Sequence, residues 1–306
     1  MRIAVIDLGT NTCNLLVADV NSSSFTILHQ SKQPVKLGDD KIKENNISPE
    51  ATHRTIQAFQ LHKNIIQKYE VEKIRVIATS AVRSAENKIT FLEKISDDSG
   101  WIVKVISGEK EADLIFKGVL LAFHEFEFPS LILDIGGGSN ELILAKRNKL
   151  TWKESQPTGM ARIINQFPIS NPILPYEITE IQEYFLKKHR DAIKICRQKG
   201  VDTLIGCSGA FDTIADIIDQ VDPGEKQRRV QPISVFEFYN VYRKLIHSTY
   251  DERLVMKGMD LVRVDLIVPA VILIERLIDA TGIKQIIQTD FALREGVLFE
   301  LMKNER

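Results

Sequence analysis

The chain has 306 residues and a formal net charge of −1, from 40 lysines and arginines against 41 aspartates and glutamates. This balance disfavours a protein that coats duplex nucleic acid, which would usually be basic, but it permits a local anion site. Three cysteines without CxxC spacing argue against a disulfide framework or a zinc site. We expect them to be small buried thiols in a reducing cytoplasm.

The apolar stretches of the chain are interrupted by charge before they reach the length of a membrane span. A strand pattern begins at Arg2, and no signal-peptide pattern is present in this part of the sequence. We therefore expect a cytoplasmic protein without a membrane partner.

Hydrophobic periodicity predicts two successive units with the same order of elements. In each unit, two strands flank a short turn, a third strand follows, and helices then alternate with strands. The strands are predicted at 2–7, 13–20, 25–30, 73–79 and 101–106, and again at 131–135, 141–145, 150–154, 203–205 and 284–289. The main helices are predicted from Ser48 and at 88–95, 108–126, 177–198, 234–247, 263–281 and 291–302.

This duplication predicts an α/β fold with two domains of similar plan, residues 1–125 and 126–306. We expect the C-terminal helix, from about residue 292, to pack back onto the first domain. Pro269 should kink or restart its helix. The charged segment "DPGEKQRRVQ" at 222–231 is typical of an exposed loop.

Each unit has an aspartate at the end of its first strand and a glycine turn one residue later. The stretches are "IAVIDLGTN", which contains Asp7, and "LILDIGGGSNELIL", which contains Asp134. Glycine lets successive backbone amides point into one concavity that can bind phosphate oxygens. A carboxylate beside such amides would repel phosphate unless it holds a cation or orients water, so Mg²⁺ is the simplest cofactor.

A single glycine turn could be an ordinary hairpin, and the third loop, Gly206–Gly209, could be a plain strand-to-helix turn. Three such features together favour phosphate binding. The dinucleotide fingerprint fails because Glu141 stands where glycine is needed, and no P-loop motif occurs. The predicted phosphate-binding residues are Asp7, Gly9, Thr10, Asn11, Gly136, Gly137, Gly138, Ser139, Gly206, Ser208 and Gly209.

Five stretches, in order, resemble the exopolyphosphatase / guanosine pentaphosphate phosphohydrolase (Ppx/GppA) family. They are "VIDLGTNTCNLLVADV", "ATSAVRSAEN", "ISGEKEADLIFKGV", "LDIGGGSNEL" and "FALREGVLFEL". The resemblance runs from residue 3 to about 302. It implies two ribonuclease-H-like domains of the actin, sugar-kinase and heat-shock-chaperone ATPase superfamily, with an interdomain cleft. Without the extra helical domain of longer members, the chain resembles the short form.

The resemblance also implies an activity: removal of the terminal phosphate from inorganic polyphosphate, or of the 5′-γ-phosphate from guanosine pentaphosphate, with a divalent cation. Glu111 matches the family's proposed catalytic base, and Arg83 matches its phosphate-contacting arginine. Asp134 would hold the metal or the water. The expected ligands of Mg²⁺, or of another divalent cation, are Asp7, Asp134 and Glu111.

Both family assignments have plainer alternatives. An acidic residue in the first turn of a helix, such as Glu111, also stabilises the helix dipole. Arg83 could be a solvated loop residue, and the pair Arg228 and Arg229 could either guide a polyanion or be a solvated surface pair.

The sequence departs from the family pattern at Asn140 and Ala210, where threonine is usual, and at Pro269. The departures at Asn140 and Ala210 leave open a non-catalytic sensor of guanosine tetra- or pentaphosphate. The strand–Asp–x–Gly–Thr hairpin by itself also fits a kinase or ATPase of the same superfamily. The "ISGEKEA" and "SAVRSAEN" stretches do not fit the kinase. The assembly state, including a homodimer, is also left open by the sequence.

Overall fold

The computed structural model describes residues 1–21, 24–38, 45–123 and 127–303. The chain divides into two compact units, Met1–Gly118 with Leu293–Arg306, and Val119–Ala292. The predicted boundary between residues 125 and 126 lies outside the described residues. No helix in the described part of the chain has the length and apolar character needed to cross a membrane.

The first unit contains a five-stranded sheet in the order β3-β2-β1-β4-β5. Its strands are β1 (Arg2–Leu8), β2 (Thr12–Val20), β3 (Phe25–Pro34), β4 (Lys73–Ala78) and β5 (Val103–Val105). β1 is antiparallel to β2 and parallel to β4, and β4 is parallel to β5. The segments that follow these three parallel strands therefore leave the sheet at the same edge.

The helices of the first unit are α1 (Pro49–Lys68), α2 (Ser80–Ser84), α3 (Lys88–Ser99), α4 (Gly108–Ala122, which crosses into the second unit) and the last helix of the chain, α12 (Leu293–Lys303). The predicted start of α1 is confirmed, because the Ser48 hydroxyl accepts a hydrogen bond from the Ala51 amide at 3.1 Å. α3 ends at Gly100, whose φ of 75° is readily accessible only to glycine.

Helix α12 packs against α4 with no side chain between the two backbones at one point. A Cβ on Gly296 would collide with the carbonyl oxygen of Leu114. The Glu300 carboxylate accepts hydrogen bonds from Lys117, at 2.5 Å, and from Lys110. Lys110 lies in the first turn of α4, so its charge serves this helix contact although a cation there opposes the helix dipole.

The second unit contains a six-stranded sheet in the order β10-β11-β9-β6-β7-β8. Its strands are β6 (Ser130–Ile135), β7 (Asn140–Lys146), β8 (Lys149–Gln156), β9 (Thr203–Cys207), β10 (Gln231–Ser234) and β11 (Gln285–Thr289). Its helices are α5 (Met160–Gln166), α6 (Pro175–Lys188), α7 (Arg190–Lys199), α8 (Gly209–Asp219), α9 (Val235–Ile246), α10 (Tyr250–Leu254) and α11 (Ile267–Thr281).

The strand order β8-β7-β6-β9-β11 repeats the order β3-β2-β1-β4-β5, with the same parallel and antiparallel pairings. This confirms the predicted α/β fold with two ribonuclease-H-like units. The edge strand β10 was not predicted. The helix predicted at 177–198 is divided at His189 into α6 and α7. Pro269 lies in the first turn of α11, as the predicted restart requires.

The alternative of a solvated surface pair was wrong for Arg228 but holds for the position of Arg229, which is exposed. Arg228 is buried and bonds Asp216 and Asp219, both at 2.7 Å, as a buried cation requires. The Arg229 guanidinium donates to the carbonyl oxygens of Leu121 and Ala122 at the end of α4, at 2.6 and 3.1 Å. Both arginines therefore have structural partners, and we assign neither of them to a substrate.

The core of the first unit includes a fully buried histidine. The Nε2–H of His62, on α1, donates to the carbonyl oxygen of Cys13 at 3.2 Å, and its buried Nδ1 has no partner among the described residues. Burial lowers the pKa of His62, the bond to Cys13 opposes this effect, and nearby His29 adds to it. The three cysteines are buried free thiols, as predicted.

This histidine predicts a loss of stability in acid. Below a pH of about 6.5 the unfolded chain takes up a proton at His62 more readily than the folded chain, so the free energy of unfolding falls as pH falls. We expect this effect to cost about 1 kcal/mol between pH ~7.5 and ~5.5. The amide of His62→Gln can still donate to Cys13. The free energy of unfolding of this variant, measured by urea denaturation, should therefore fall less over the same pH range. The control is His53→Gln, an exposed position on the same helix, and equal losses in both variants would contradict the prediction.

Candidate active site

The turn after β1 is closed by its own backbone. The amide of Gly9 donates to the carbonyl oxygen of Thr12 at 3.0 Å. The carbonyl oxygens of Thr10 and Asn11 accept from backbone amides at 35–37, at 2.6 to 3.0 Å. The turn is thus held to the end of β3, and its amides point the other way because the N–H and C=O of a trans peptide are opposed.

Two buried side-chain atoms at this turn have no hydrogen-bond partner among the described residues: Oδ1 of Asp7 and Nδ2 of Asn11. The other carboxylate oxygen of Asp7 accepts from Asn14 at 3.3 Å. Burial raises the pKa of Asp7 to about 6, although Arg294 and the bond from Asn14 lower it. Buried polar atoms without partners are costly to a protein and suit a site for a ligand.

The carboxylate oxygen at this turn fits a magnesium ion better than a metal that needs all of its ligands from the protein. Mg²⁺ favours carboxylate oxygen, usually takes one or two carboxylates, and keeps several waters. The unpaired Oδ1 of Asp7 offers one such ligand. Asp134 occupies the equivalent position at the end of β6. Within the described residues, no three His, Cys, Asp or Glu side chains form a metal-binding group.

The predicted base and the predicted phosphate-contacting arginine form an ion pair. Nη1 of Arg83 donates to Oε2 of Glu111 at 2.8 Å and to the carbonyl oxygen of Ile106 at 3.0 Å. Glu111 is 7% exposed, so this bond fixes a nearly buried carboxylate. The two roles expected of Glu111, catalytic base and metal ligand, both stay predictions. Nε and Nη2 of Arg83 donate to none of the described residues and remain suitable for phosphate oxygens.

The glycine turn of the second unit is defined here as residues 136–139, and it is also closed by its own backbone. The Gly136 amide donates to the carbonyl oxygen of Ser139 at 3.0 Å, as Gly9 does to Thr12. The turn lies against the start of α5. A Cβ on Gly159, the residue before α5, would collide with the peptide between Gly137 and Gly138, so only glycine allows this approach.

The carbonyl oxygens of Gly136, Gly137 and Gly138 are bound on the side of α5. Gly136 accepts from the Met160 amide at 3.0 Å and Gly137 from the Ala161 amide at 2.8 Å. Gly138 accepts from Nε of Arg162 at 3.0 Å. Each bound carbonyl aims the next amide in the opposite direction. The amides at 137, 138 and 139 therefore point away from α5, and within the described part of the chain they donate to no protein acceptor.

The third predicted loop differs from the expectation. Gly206 lies inside β9, not in a loop, and its missing side chain makes room for the Phe211 ring. The Ser208 hydroxyl bonds both the amide and the carbonyl of Ile135, at 3.2 Å each. Ser208 also has φ 76° and ψ 168°, a region almost confined to glycine. These two residues thus join β6 to β9, and only Gly209, at the start of α8, keeps the predicted setting.

The sequence analysis missed the residues that support these loops. The guanidinium of Arg263 packs directly against Gly209 and brings a cation to the start of α8. Gly159 and Arg162 hold the glycine turn. The available signal was weak: "TGMAR" is a glycine before a helix followed by a cation, and Arg263 opens the stretch that we cited only for its proline.

Comparison with known proteins shows the family of this chain. The family model described as "Ppx/GppA phosphatase family" matches residues 16–305. The solved structure of an exopolyphosphatase from Cytophaga hutchinsonii is 33% identical, with a TM-score of 0.94 over 99% of this chain and 98% of that chain. Exopolyphosphatase 2 of Mycobacterium tuberculosis is 24% identical and aligns over 98% of each chain.

A solved member of the same family from Aquifex aeolicus, 24% identical, shares the fold, with a TM-score of 0.83 over 100% of this chain and 99% of that chain. The chain therefore belongs to the Ppx/GppA phosphatase family. This membership supports hydrolysis of phosphoric anhydrides as its general chemistry.

The raised pKa of Asp7 predicts a cost in stability. Because this pKa is higher in the folded chain than in the unfolded chain, the free energy of unfolding falls as pH rises from about 4 to about 6 and stays lower above that. Asp7→Asn removes the charge. The buried Oδ1 belongs to a side chain that keeps some contact with solvent, so we expect the gain to be about 2 kcal/mol at pH ~8.

The measurement is thermal unfolding with EDTA present, so that no cation offsets the cost. The stabilisation by Asp7→Asn should be largest at alkaline pH and small near pH ~4.5. Asp19→Asn, on the partly exposed end of β2, is the control. A stability difference between wild type and Asp7→Asn that does not change with pH would contradict the prediction.

Proposed function

We propose that this chain is a phosphohydrolase that removes the terminal phosphate of inorganic polyphosphate, or the 5′-γ-phosphate of guanosine pentaphosphate, by in-line attack of water. The observation that carries the proposal is the glycine turn. Three consecutive amides, at 137, 138 and 139, point away from α5 and have no protein acceptor among the described residues. Such a run of amides binds a phosphate group without help from side-chain charge.

Each side chain has a separate task in this proposal. Glu111 takes the proton from the attacking water, and its bond to Arg83 keeps the carboxylate in one orientation. The N–H groups at Nε and Nη2 of Arg83 bind phosphate oxygens. Asp7 and Asp134 would hold a divalent cation, which when bound neutralises charge on the phosphates. Positioning and charge neutralisation supply most of the rate in phosphoryl transfer.

The names of the relatives favour polyphosphate as a substrate, since two of those compared here are described as exopolyphosphatases. The family name includes the guanosine pentaphosphate activity, and it stays part of the proposal. The sensor alternative depended on Asn140 and Ala210. Asn140 donates a hydrogen bond to Thr158, just before α5, so this departure is compatible with an intact glycine turn. That compatibility counts against the sensor.

The test is release of orthophosphate from polyphosphate and from guanosine pentaphosphate, in parallel, with Mg²⁺ and then with EDTA. Glu111→Gln should lower kcat on the order of a hundredfold or more and leave KM within a few-fold, because the amide cannot take a proton. Glu109→Gln is the matched control. It removes an exposed acid from the same first turn of α4, so any helix-dipole effect is shared by both variants.

Metal-dependent release that falls in Glu111→Gln and persists in Glu109→Gln supports the proposal, and the ratio of the two substrates names the activity. Near-normal turnover in Glu111→Gln would remove Glu111 from its role. Absence of orthophosphate release from both substrates, together with tight binding of guanosine tetraphosphate, would instead support the sensor.

A further inference from the structure

We propose that three fully buried residues, Asn140, Thr158 and His189, position the glycine turn for phosphate binding. We call them, together with the carboxylate of Glu154, the buried chain. The first three are 0% exposed, so none of them reaches substrate. With Glu154, the four residues of the buried chain lie on four different segments: the start of β7, strand β8, the residue pair before α5, and the junction of α6 and α7.

The bonds within the buried chain are continuous. Nδ2 of Asn140 donates to both oxygens of Thr158, the carbonyl at 2.7 Å and the hydroxyl at 3.1 Å. The Thr158 hydroxyl lies 3.2 Å from Nε2 of His189. Nδ1 of His189 lies 3.1 Å from Oε1 of Glu154.

Only one arrangement of hydrogens satisfies all of these contacts with a neutral imidazole. The ionised carboxylate of Glu154 can only accept, so Nδ1 of His189 carries the hydrogen and Nε2 is left as an acceptor. The hydroxyl of Thr158 must then donate to Nε2 and accept from Asn140. In this arrangement the hydrogen bonds run in one direction, from Asn140 to Glu154, and the hydroxyl of Thr158 is the link between Asn140 and His189.

The buried chain acts on the glycine turn through the backbone. Thr158 is followed by Gly159, which packs against the turn, and by Met160 and Ala161, whose amides bind the carbonyls of Gly136 and Gly137. Fixing Thr158 therefore fixes the donors that aim the amides of the turn. Asn140 follows the turn directly in sequence, so the buried chain joins the end of the turn to the helix that holds it.

The buried chain explains why asparagine suits position 140, where threonine is usual in the family. Nδ2 of Asn140 donates to two oxygens of Thr158, whereas a threonine at this position has a single hydrogen to donate. The kinetic part of the inference rests on the proposed function, because it takes phosphate to be the ligand of the turn. The structural part concerns only the hydrogen bonds between α5 and the turn.

The test compares Thr158→Val with Thr158→Ser. Valine keeps the shape of threonine but lacks the hydroxyl, whereas serine keeps the hydroxyl and loses a methyl group. Hydrogen exchange is measured by mass spectrometry on the peptide that contains Met160 and Ala161, since these amides are protected only while they bind the turn. With tripolyphosphate as the probe, kcat and KM are measured on the same proteins.

We expect Thr158→Val to speed exchange in that peptide at least tenfold and to raise KM about tenfold or more, with a smaller change in kcat. Thr158→Ser should stay near wild type in both. A purely structural role would lower the thermal stability of both variants but leave the exchange of this peptide and the KM at their wild-type values. Unchanged exchange in Thr158→Val would overturn the inference.

If Thr158→Val fails to fold, Asn140→Thr, which carries the residue usual in the family, supplies the same two readouts at an intermediate level, and no change in either would overturn the inference. The exchange measurement needs no activity. Failure of wild type to hydrolyse any phosphate chain would therefore refute the proposed function and still leave the buried chain testable.

Discussion

The candidate site depends on one constraint, the opposed directions of N–H and C=O in a trans peptide. Protein donors bind the carbonyls of Gly136, Gly137 and Gly138 on one side, so the amides at 137, 138 and 139 point to the other. Glycine is needed at Gly159, where a Cβ would collide with the peptide between Gly137 and Gly138, and at Gly136, where it would collide with the carbonyl oxygen of Ser139. The anion site is therefore made of backbone and needs little from the composition of the chain, whose net charge is −1.

The first unit repeats the device with different partners. Its turn is closed by the hydrogen bond from Gly9 to Thr12. The backbone amides just after β3 bind the carbonyls of this turn, as the amides of α5 bind those of the glycine turn in the second unit. In the first unit, the parallel strands bring Asp7 and the Arg83–Glu111 pair, the side chains to which we assign the proposed chemistry, to one edge of the sheet. The duplication explains how similar turns carry different chemistry: the backbone frame is shared, and the side chains around it are not.

Much of the fold was predictable because it depends on local patterns. Apolar strands around glycine turns indicated both sheets, and Ser48 marked the start of α1. Three features were not predictable, because each depends on contacts between distant parts of the chain. Gly206 was assigned to phosphate, but it makes room for Phe211. Arg228 was predicted to lie on the surface, but it is buried because the carboxylates of Asp216 and Asp219 bind it. The bond between Arg83 and Glu111 joins residues 28 positions apart.

The most direct test of this account is to observe the amides of the glycine turn while phosphate binds. The Glu111→Gln protein is labelled with ¹⁵N only at its 16 glycines, and tripolyphosphate is added with Mg²⁺. The account predicts saturable shifts of the Gly137 and Gly138 amide resonances, with little change at Gly100 and Gly200, which end α3 and α7. Saturable binding of tripolyphosphate that leaves Gly137 and Gly138 unshifted would contradict the account.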